Sequence, residues 1–142
     1  MKIYIASSFD LIPRVKEVAE LVESKGHTIT EKWWERVYDE GDGTPAKTTD
    51  LKKIYDSLST EEFYARPNIL RTYNKDFKGV MQADFFIFVA DTTIKKFNGA
   101  SVELGIALAN KKPCILYGDL EKSVLFCKLI RIKKIEELTP YL

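Results

Sequence analysis

The chain alternates short apolar runs with longer segments whose apolar residues recur every three or four positions, and that alternation predicts its elements. Ile3 to Ala6 is a β-branched and aromatic run, broken by Ser7, Ser8 and Asp10. Pro13 then opens a predicted helix, because its fixed φ and missing N–H suit a first helical turn, and Val15, Val18, Ala19 and Val22 share one face of it. Gly26 is the expected stop. The run "HTITEKWW" predicts a second strand ending in Trp33 and Trp34.

From Tyr38 to Ala65 the periodicity weakens. "DEGDGTP" reads as a turn-rich loop, "TTDLKKIYDSL" as a short helix, and Ser59 with Glu62 has the spacing of a capping box. So long a loop inside a compact domain points to a lid or substrate segment over residues 38–67. Asn68 is the expected cap of a helix whose Ile69, Leu70, Tyr73, Phe77, Val80 and Met81 form one apolar face, predicted to meet the core. "ADFFIFVAD" is continuously apolar, as strands covered on both faces of a parallel sheet are. "GASVELGIALAN" predicts a helix of small residues, "KKPCILYGD" a fourth strand, "LEKSVLFCKL" a last helix, and "IRIKKIEEL" a short strand and tail.

Strands alternating with helices require right-handed crossovers and a parallel sheet. The expected architecture is α/β: one flavodoxin-like (Rossmann-like), doubly wound domain over residues 1–142 with four or five central strands. Ligands of such sheets bind at the carboxyl ends of the strands, which selects Ala6 to Asp10, Trp33-Trp34, Ala90 to Ser101 and Tyr117-Gly118.

Composition narrows the chemistry. A chain of 142 residues buries roughly two-thirds of its unfolded surface as one domain, so no disulfide or metal staple is needed. With 22 Lys+Arg against 21 Asp+Glu there is no electrostatic case for a nucleic-acid partner or an anionic membrane surface. No apolar stretch approaches about 18 residues, and the one at the start is too short for a signal peptide's core, so a soluble cytoplasmic protein is expected. Cys114 and Cys127 have no CxxC spacing and read as small buried hydrophobes. His27 is the only histidine and follows Gly26 in a turn, which disfavours a Ser-His-Asp triad and a histidine zinc site. No metal and no cofactor is expected, and any catalysis falls to carboxylates.

Two acids stand where chemistry is possible. Glu103 lies in the first or second turn of its helix between Gly99 and Gly105, whose missing side chains let a substrate approach; the position equally suits an acid answering the helix dipole. Asp76 lies off the apolar face of its own helix and by itself reads as a solvated acid. Ser7 and Ser8, before a helix N-terminus, fit either an anion or sugar hydroxyl or a simple turn and cap. The absence of GxGxxG there disfavours a dinucleotide. Trp33 and Trp34 can stack on a planar base or pack at a rim.

"TYNKDFKGV", the apolar strand, and then "NGASVELGIALANKKP" together resemble the nucleoside 2-deoxyribosyltransferase family, in which a Tyr-Asn-x-Asp-hydrophobic-x-Gly helix precedes a strand and a Gly-x-x-x-Glu-hydrophobic-Gly-x-Ala helix. The opening "IYIASSF" is similar to that family's first strand and substrate loop. The resemblance spans Lys2 to Leu116 and is strongest over Thr72 to Pro113. It implies Glu103 as nucleophile, Asp76 as the carboxylate near the leaving base, and Ser7, Ser8, Phe9, Asn98, Gly99 and Ser101 around the substrate. Such a pair suits cleavage of an N-glycosidic bond, where one carboxylate stabilises and traps an oxocarbenium-like C1′ and an acid with a raised pKa protonates the base. An acceptor base or water then resolves the glycosyl-Glu intermediate.

One position departs from the pattern. Six residues before the nucleophile the transferases carry a base-contacting aspartate, and related nucleoside-monophosphate hydrolases a phosphate-binding serine, where this chain has Phe97. Asn98 and Ser101 are the polar neighbours that would take over. The implied function is therefore 2-deoxyribosyltransferase-like turnover of a small nucleoside or nucleotide, with hydrolysis of (deoxy)nucleoside 5′-monophosphates as the alternative and a nucleotide-binding module without turnover as the second. The resemblance also implies a homo-oligomer in which Tyr141 and the carboxylate of Leu142 reach a neighbour's site.

Overall fold

The computed structural model describes residues 1–39, 45–47, 53–94 and 96–142. β1 (Lys2–Ala6) and β2 (Thr28–Ile29) pair in parallel at one side of a five-stranded sheet that continues through β5 (Phe85–Ala90), β6 (Cys114–Gly118) and β7 (Ile130–Ile132). Every pairing is parallel, in the order β2-β1-β5-β6-β7, which is the doubly wound flavodoxin-like arrangement. The central β5 is buried throughout because helices cover both of its faces. Ala6 pairs with Phe88 and Ala90 with Gly118, so the carboxyl ends of β1, β5 and β6 open on one edge.

Helix α1 (Ile12–Ser24) carries its proline in the first turn and buries Ile12, Val15, Val18, Ala19 and Val22. Gly26 ends it at φ +79°, the left-handed geometry that glycine adopts without a Cβ penalty. The strand expected over "HTITEKWW" is only the two residues of β2, followed by a 3-10 turn at Trp33–Glu35. A strand would send adjacent tryptophans to opposite faces; the turn buries both, with Trp33 Nε1 donating to the Ile5 carbonyl at 2.8 Å.

The loop "DEGDGTP" begins and ends on an antiparallel pair, β3 (Val37–Asp39) with β4 (Pro45–Lys47); residues 40–44 lie outside the described part. Of "TTDLKKIYDSL", residues 53–56 are helical and 48–52 lie outside it. The capping box forms as expected at α2 (Thr60–Ala65): Ser59 Oγ accepts from the Glu62 amide and the Ser59 amide donates to Glu62 Oε2 at 2.7 Å.

Helix α3 (Asn68–Gln82) exists but is turned. Asn68 is its buried first residue and not its cap, which is Pro67 without a side-chain bond. Of the six apolar residues predicted to meet the core only Val80 is fully buried; Leu70, Tyr73, Phe77 and Met81 are exposed. The inward face instead carries Asn68, Thr72, Asp76 and Gly79. A Cβ on Gly79 would stand 2.8 Å from the Tyr4 ring and 2.9 Å from Glu31 Cβ, so only glycine lets α3 lie this close to β1.

Helix α4 (Asn98–Ala109) packs beside α3 and against β1, β5 and β6. The helix expected over "LEKSVLFCKL" is reduced to a 3-10 turn at Val124–Phe126, with Leu120, Phe126 and Leu129 packing on the core. Cys127 is consequently exposed in a turn, whereas Cys114 is buried and its thiol is pushed up to about 11 by that burial. A 3-10 tail at Ile135–Tyr141 buries Leu138 and brings the Leu142 carbonyl to His27 Nε2, which donates to it. Among the described residues no helix is long and apolar enough to cross a membrane.

Candidate active site

Tyr4 lies in the middle of β1 with its side chain fully buried, its ring stacked on Phe86 at 5.8 Å. Its hydroxyl stands 2.8 Å from Glu103 Oε1 and 3.4 Å from Asp76 Oδ1, two acids that line the cleft above the strand ends. Glu103 comes from α4, where Ala100, Leu104 and Ala107 are buried; at i−3 and i+4 from two of these it must share the inward face. It lies beyond the first turn, so the reading as an acid answering the dipole from the helix surface does not hold. Asp76 comes from α3 through the rotation that turned Tyr73 and Phe77 outward, and is partly buried instead of solvated.

Arg36, just past the Trp33–Glu35 turn, closes the constellation. Its side chain is 7% exposed, Nε donates to Glu31 Oε1 at 2.7 Å, and an Nη pairs with Asp76. Burial pushes Glu103 up to about 8, helped by the Asp76 charge and opposed by the Tyr4 hydrogen bond and Arg36. Asp76 is also raised by burial, but Arg36 pulls it back through its hydrogen bond and charge. The Tyr4 phenol is held well above its ordinary value, first by burial and then by the two carboxylates. Burial thus favours the protonated form of Glu103.

The cleft above these groups has a volume of about 310 Å³. Phe9, Trp33 and Phe97 give it aromatic walls, and Phe9 tilts against Trp33 at 5.8 Å. Phe97, at the cap position of α4, packs edge-on against Phe88 at 5.5 Å and also lines the cleft, presenting an apolar surface where the family pattern has a polar one. Ser7 donates to the Val89 carbonyl at 2.8 Å, and Ser8 caps the short turn at Phe9–Leu11. Thr72 Oγ1 is, among the described residues, a buried side-chain oxygen without a hydrogen-bond partner, and Thr72 lines the cleft. At the rim Lys96 pairs with Asp56 at 3.7 Å beside Tyr55, so the segment expected as a lid contributes to the opening.

Seven of the eight expected residues, Ser7, Ser8, Phe9, Asp76, Asn98, Gly99 and Glu103, line this cleft. Ser101 does not; it lies exposed on the outer side of α4. Trp34 is packed edge-on to Trp33 inside the core and is not available to a base. The strand edge at Tyr117-Gly118 is outside the cleft as well: Arg14 sits 4.4 Å over the Tyr117 ring and pairs with Asp91 at 3.6 Å. Among the described residues no group of three His, Cys, Asp or Glu side chains could hold a metal ion.

Sequence reasoning missed Tyr4, Arg36, Thr72 and the rim residues. Thr72 had a signal, since it precedes Asp76 by one turn on the same face. Tyr4 and Arg36 had none, because Tyr4 meets Glu103 across 99 residues and Arg36 meets Asp76 across 40.

No family model matches the chain, and no curated protein does. Among solved structures it is similar to that of the Clostridium botulinum CMP N-glycosidase BcmB, with a TM-score of 0.53 and 16% identity over 99% of this chain and 97% of that one. A likeness at that identity establishes a common fold across essentially the whole of both chains.

Proposed function

We propose that the protein is an enzyme that cleaves the N-glycosidic bond of a small nucleoside or nucleotide, with Glu103 attacking C1′ and Asp76 serving the leaving base. The observation that carries this reading is the placement of two acids, from two helices, on the lining of a cleft with aromatic walls, bridged by one buried phenol behind them. The aromatic walls suit a planar base, and the unpartnered Thr72 hydroxyl suits a hydroxyl or base edge. The motif resemblance and the fold of a CMP N-glycosidase agree with it.

Within that reaction class we favour water as acceptor and a nucleoside 5′-monophosphate as substrate. The neighbouring fold belongs to an N-glycosidase, and Lys96, exposed at the rim and paired there with Asp56, is a cation within reach of a phosphate; Phe97 replaces the transferases' aspartate and the hydrolases' serine alike. The 2-deoxyribosyltransferase reading is the second, supported by "TYNKDFKGV" and "NGASVELGIALANKKP". The lid over residues 38–67 and the single domain over 1–142 belong to the same proposal.

The test supplies CMP and a panel of ribo- and deoxyribonucleosides and their 5′-monophosphates, with and without a free acceptor base. Free base with sugar phosphate identifies a hydrolase, and base exchange a transferase. Glu103→Gln is expected to lower either rate by at least about 10³-fold. Binding without turnover in the parent protein, unchanged by that substitution, would leave only a binding module.

Self-association is part of the proposal, with a second copy of the chain as partner. The outer side of α4 carries the exposed Val102 among small residues, and the adjacent α3 exposes Leu70, Tyr73, Phe77 and Met81. These residues are between 39% and 68% exposed, the kind of apolar surface that a second copy would cover.

A further inference from the structure

Building on Glu103 as nucleophile, we propose that Glu103, Tyr4 and Asp76 form a proton-exchange chain, anchored by Arg36, through which the proton leaving Glu103 arrives at Asp76, where the departing base takes it. The geometry that carries this is one hydroxyl shared by two carboxyls, 2.8 Å from Glu103 and 3.4 Å from Asp76. A phenol has one proton, which it can donate to either carboxyl, and its oxygen can accept from whichever of the two is protonated. Two charged carboxylates around one buried hydroxyl repel, so the pair holds a proton in common and titrates as a unit.

Arg36 decides where that proton rests. It touches Asp76 and Glu31; its hydrogen bond and charge oppose the burial that raises Asp76, while burial raises Glu103 to about 8, and this biases the shared proton toward Glu103. Arg36 is thus a positioning residue. Among the described residues the charged groups facing the pair are Arg36 and Glu31, with Asp10, Asp56 and Lys96 on the cleft lining.

The steps balance. When substrate binds, the Glu103 proton passes to the Tyr4 oxygen as the Tyr4 proton passes to Asp76. The C1′–N bond breaks, its electron pair goes to the base, the base takes the Asp76 proton, and a Glu103 oxygen bonds to C1′. Water then attacks C1′, the ester pair returns to Glu103, and the water proton goes to Asp76 and back along Tyr4. The resting state is restored with no proton drawn from solvent.

The two roles of the proton can be separated by leaving group. CMP, or the panel member that turns over fastest, needs a proton on its base; nicotinamide mononucleotide releases a neutral pyridine and needs none. The chain predicts that kcat/KM for CMP falls as pH rises through about 8, where the pair loses its shared proton, while kcat/KM for nicotinamide mononucleotide rises through the same range. Tyr4→Phe is expected to cost CMP on the order of 10²-fold and nicotinamide mononucleotide far less. Arg36→Lys should keep the CMP profile better than Arg36→Met, which should displace its alkaline limb. Parallel pH profiles for the two substrates, or equal losses in Tyr4→Phe, overturn the chain.

Carbon-13 NMR of the carboxyl groups in the ligand-free protein gives a readout that needs no turnover. Asp76 and Glu103 are expected to titrate together and to uncouple in Tyr4→Phe; independent titration in the parent overturns the chain. Coupled titration with no turnover of any nucleotide would uphold the chain and overturn the enzymatic reading instead.

Discussion

At neutral pH the folded chain holds a proton on Glu103 that an unfolded chain would release, because burial moves this carboxyl from its ordinary 4.5 to about 8. Between those two values the native state binds more protons than the unfolded one, so stability falls as pH rises through that window and levels off above it. Glu103→Gln removes the titrating group while keeping its shape. It is expected to be nearly neutral at pH 5 and stabilising by on the order of 1–3 kcal/mol at pH 9, by urea unfolding at each pH. Equal effects at the two values would show that the carboxyl is not protonated in the native state. Glu103 was legible in the chain because a lone acid interrupts a helix of small and apolar residues. Tyr4 was not, since an aromatic in a strand is ordinary and its one unusual atom is used only across 99 residues.

Helix α3 sets the distance between Asp76 and Tyr4, and it can do so only through Gly79. A methyl group there would meet the Tyr4 ring at 2.8 Å, and neither the buried ring nor the helix backbone is free to yield. Gly79→Ala should cost about 1–3 kcal/mol by overpacking, more than the helix propensity of alanine returns, and should lower turnover by withdrawing Asp76. Thermal unfolding and kcat/KM measured together check it; a stabilised, fully active variant would refute the close approach. The existence of α3 was legible from its period, but its orientation was not. Periodicity finds an apolar stripe without saying what covers it, and here the sheet takes the side bearing Thr72, Asp76 and Gly79 because that side also walls the cleft.

The stripe left outside has a consequence for the whole molecule. Leu70 is 68% exposed, Val102 62% and Tyr73 55%, on two helices that lie side by side. Sedimentation velocity is expected to give a dimer at micromolar concentration, and Leu70→Glu with Phe77→Glu to give a folded monomer. A monomeric parent at high concentration would remove the second copy from the proposal. The doubly wound plan was legible at this scale, because apolar strands separated by amphipathic segments admit few layer arrangements. The crossover before β7 was not, since a 3-10 turn stands there in place of the expected helix.

The sequence by itself determined the alternation of the parallel strands with α1, α3 and α4, the central place of β5, and the edge of the sheet on which Ser7, Asn98 and Glu103 would gather. Each of these follows from local patterns, in which apolar period, glycine and proline act within a few residues of themselves. The tertiary structure alone decided which side of α3 faces inward, that Arg36 reaches Asp76, and that one phenol from β1 stands between the two acids. Those choices depend on packing between segments 40 to 99 residues apart, where Gly79 gives Tyr4 the space for a close approach and Tyr73 and Phe77 are left on the outer side of the helix.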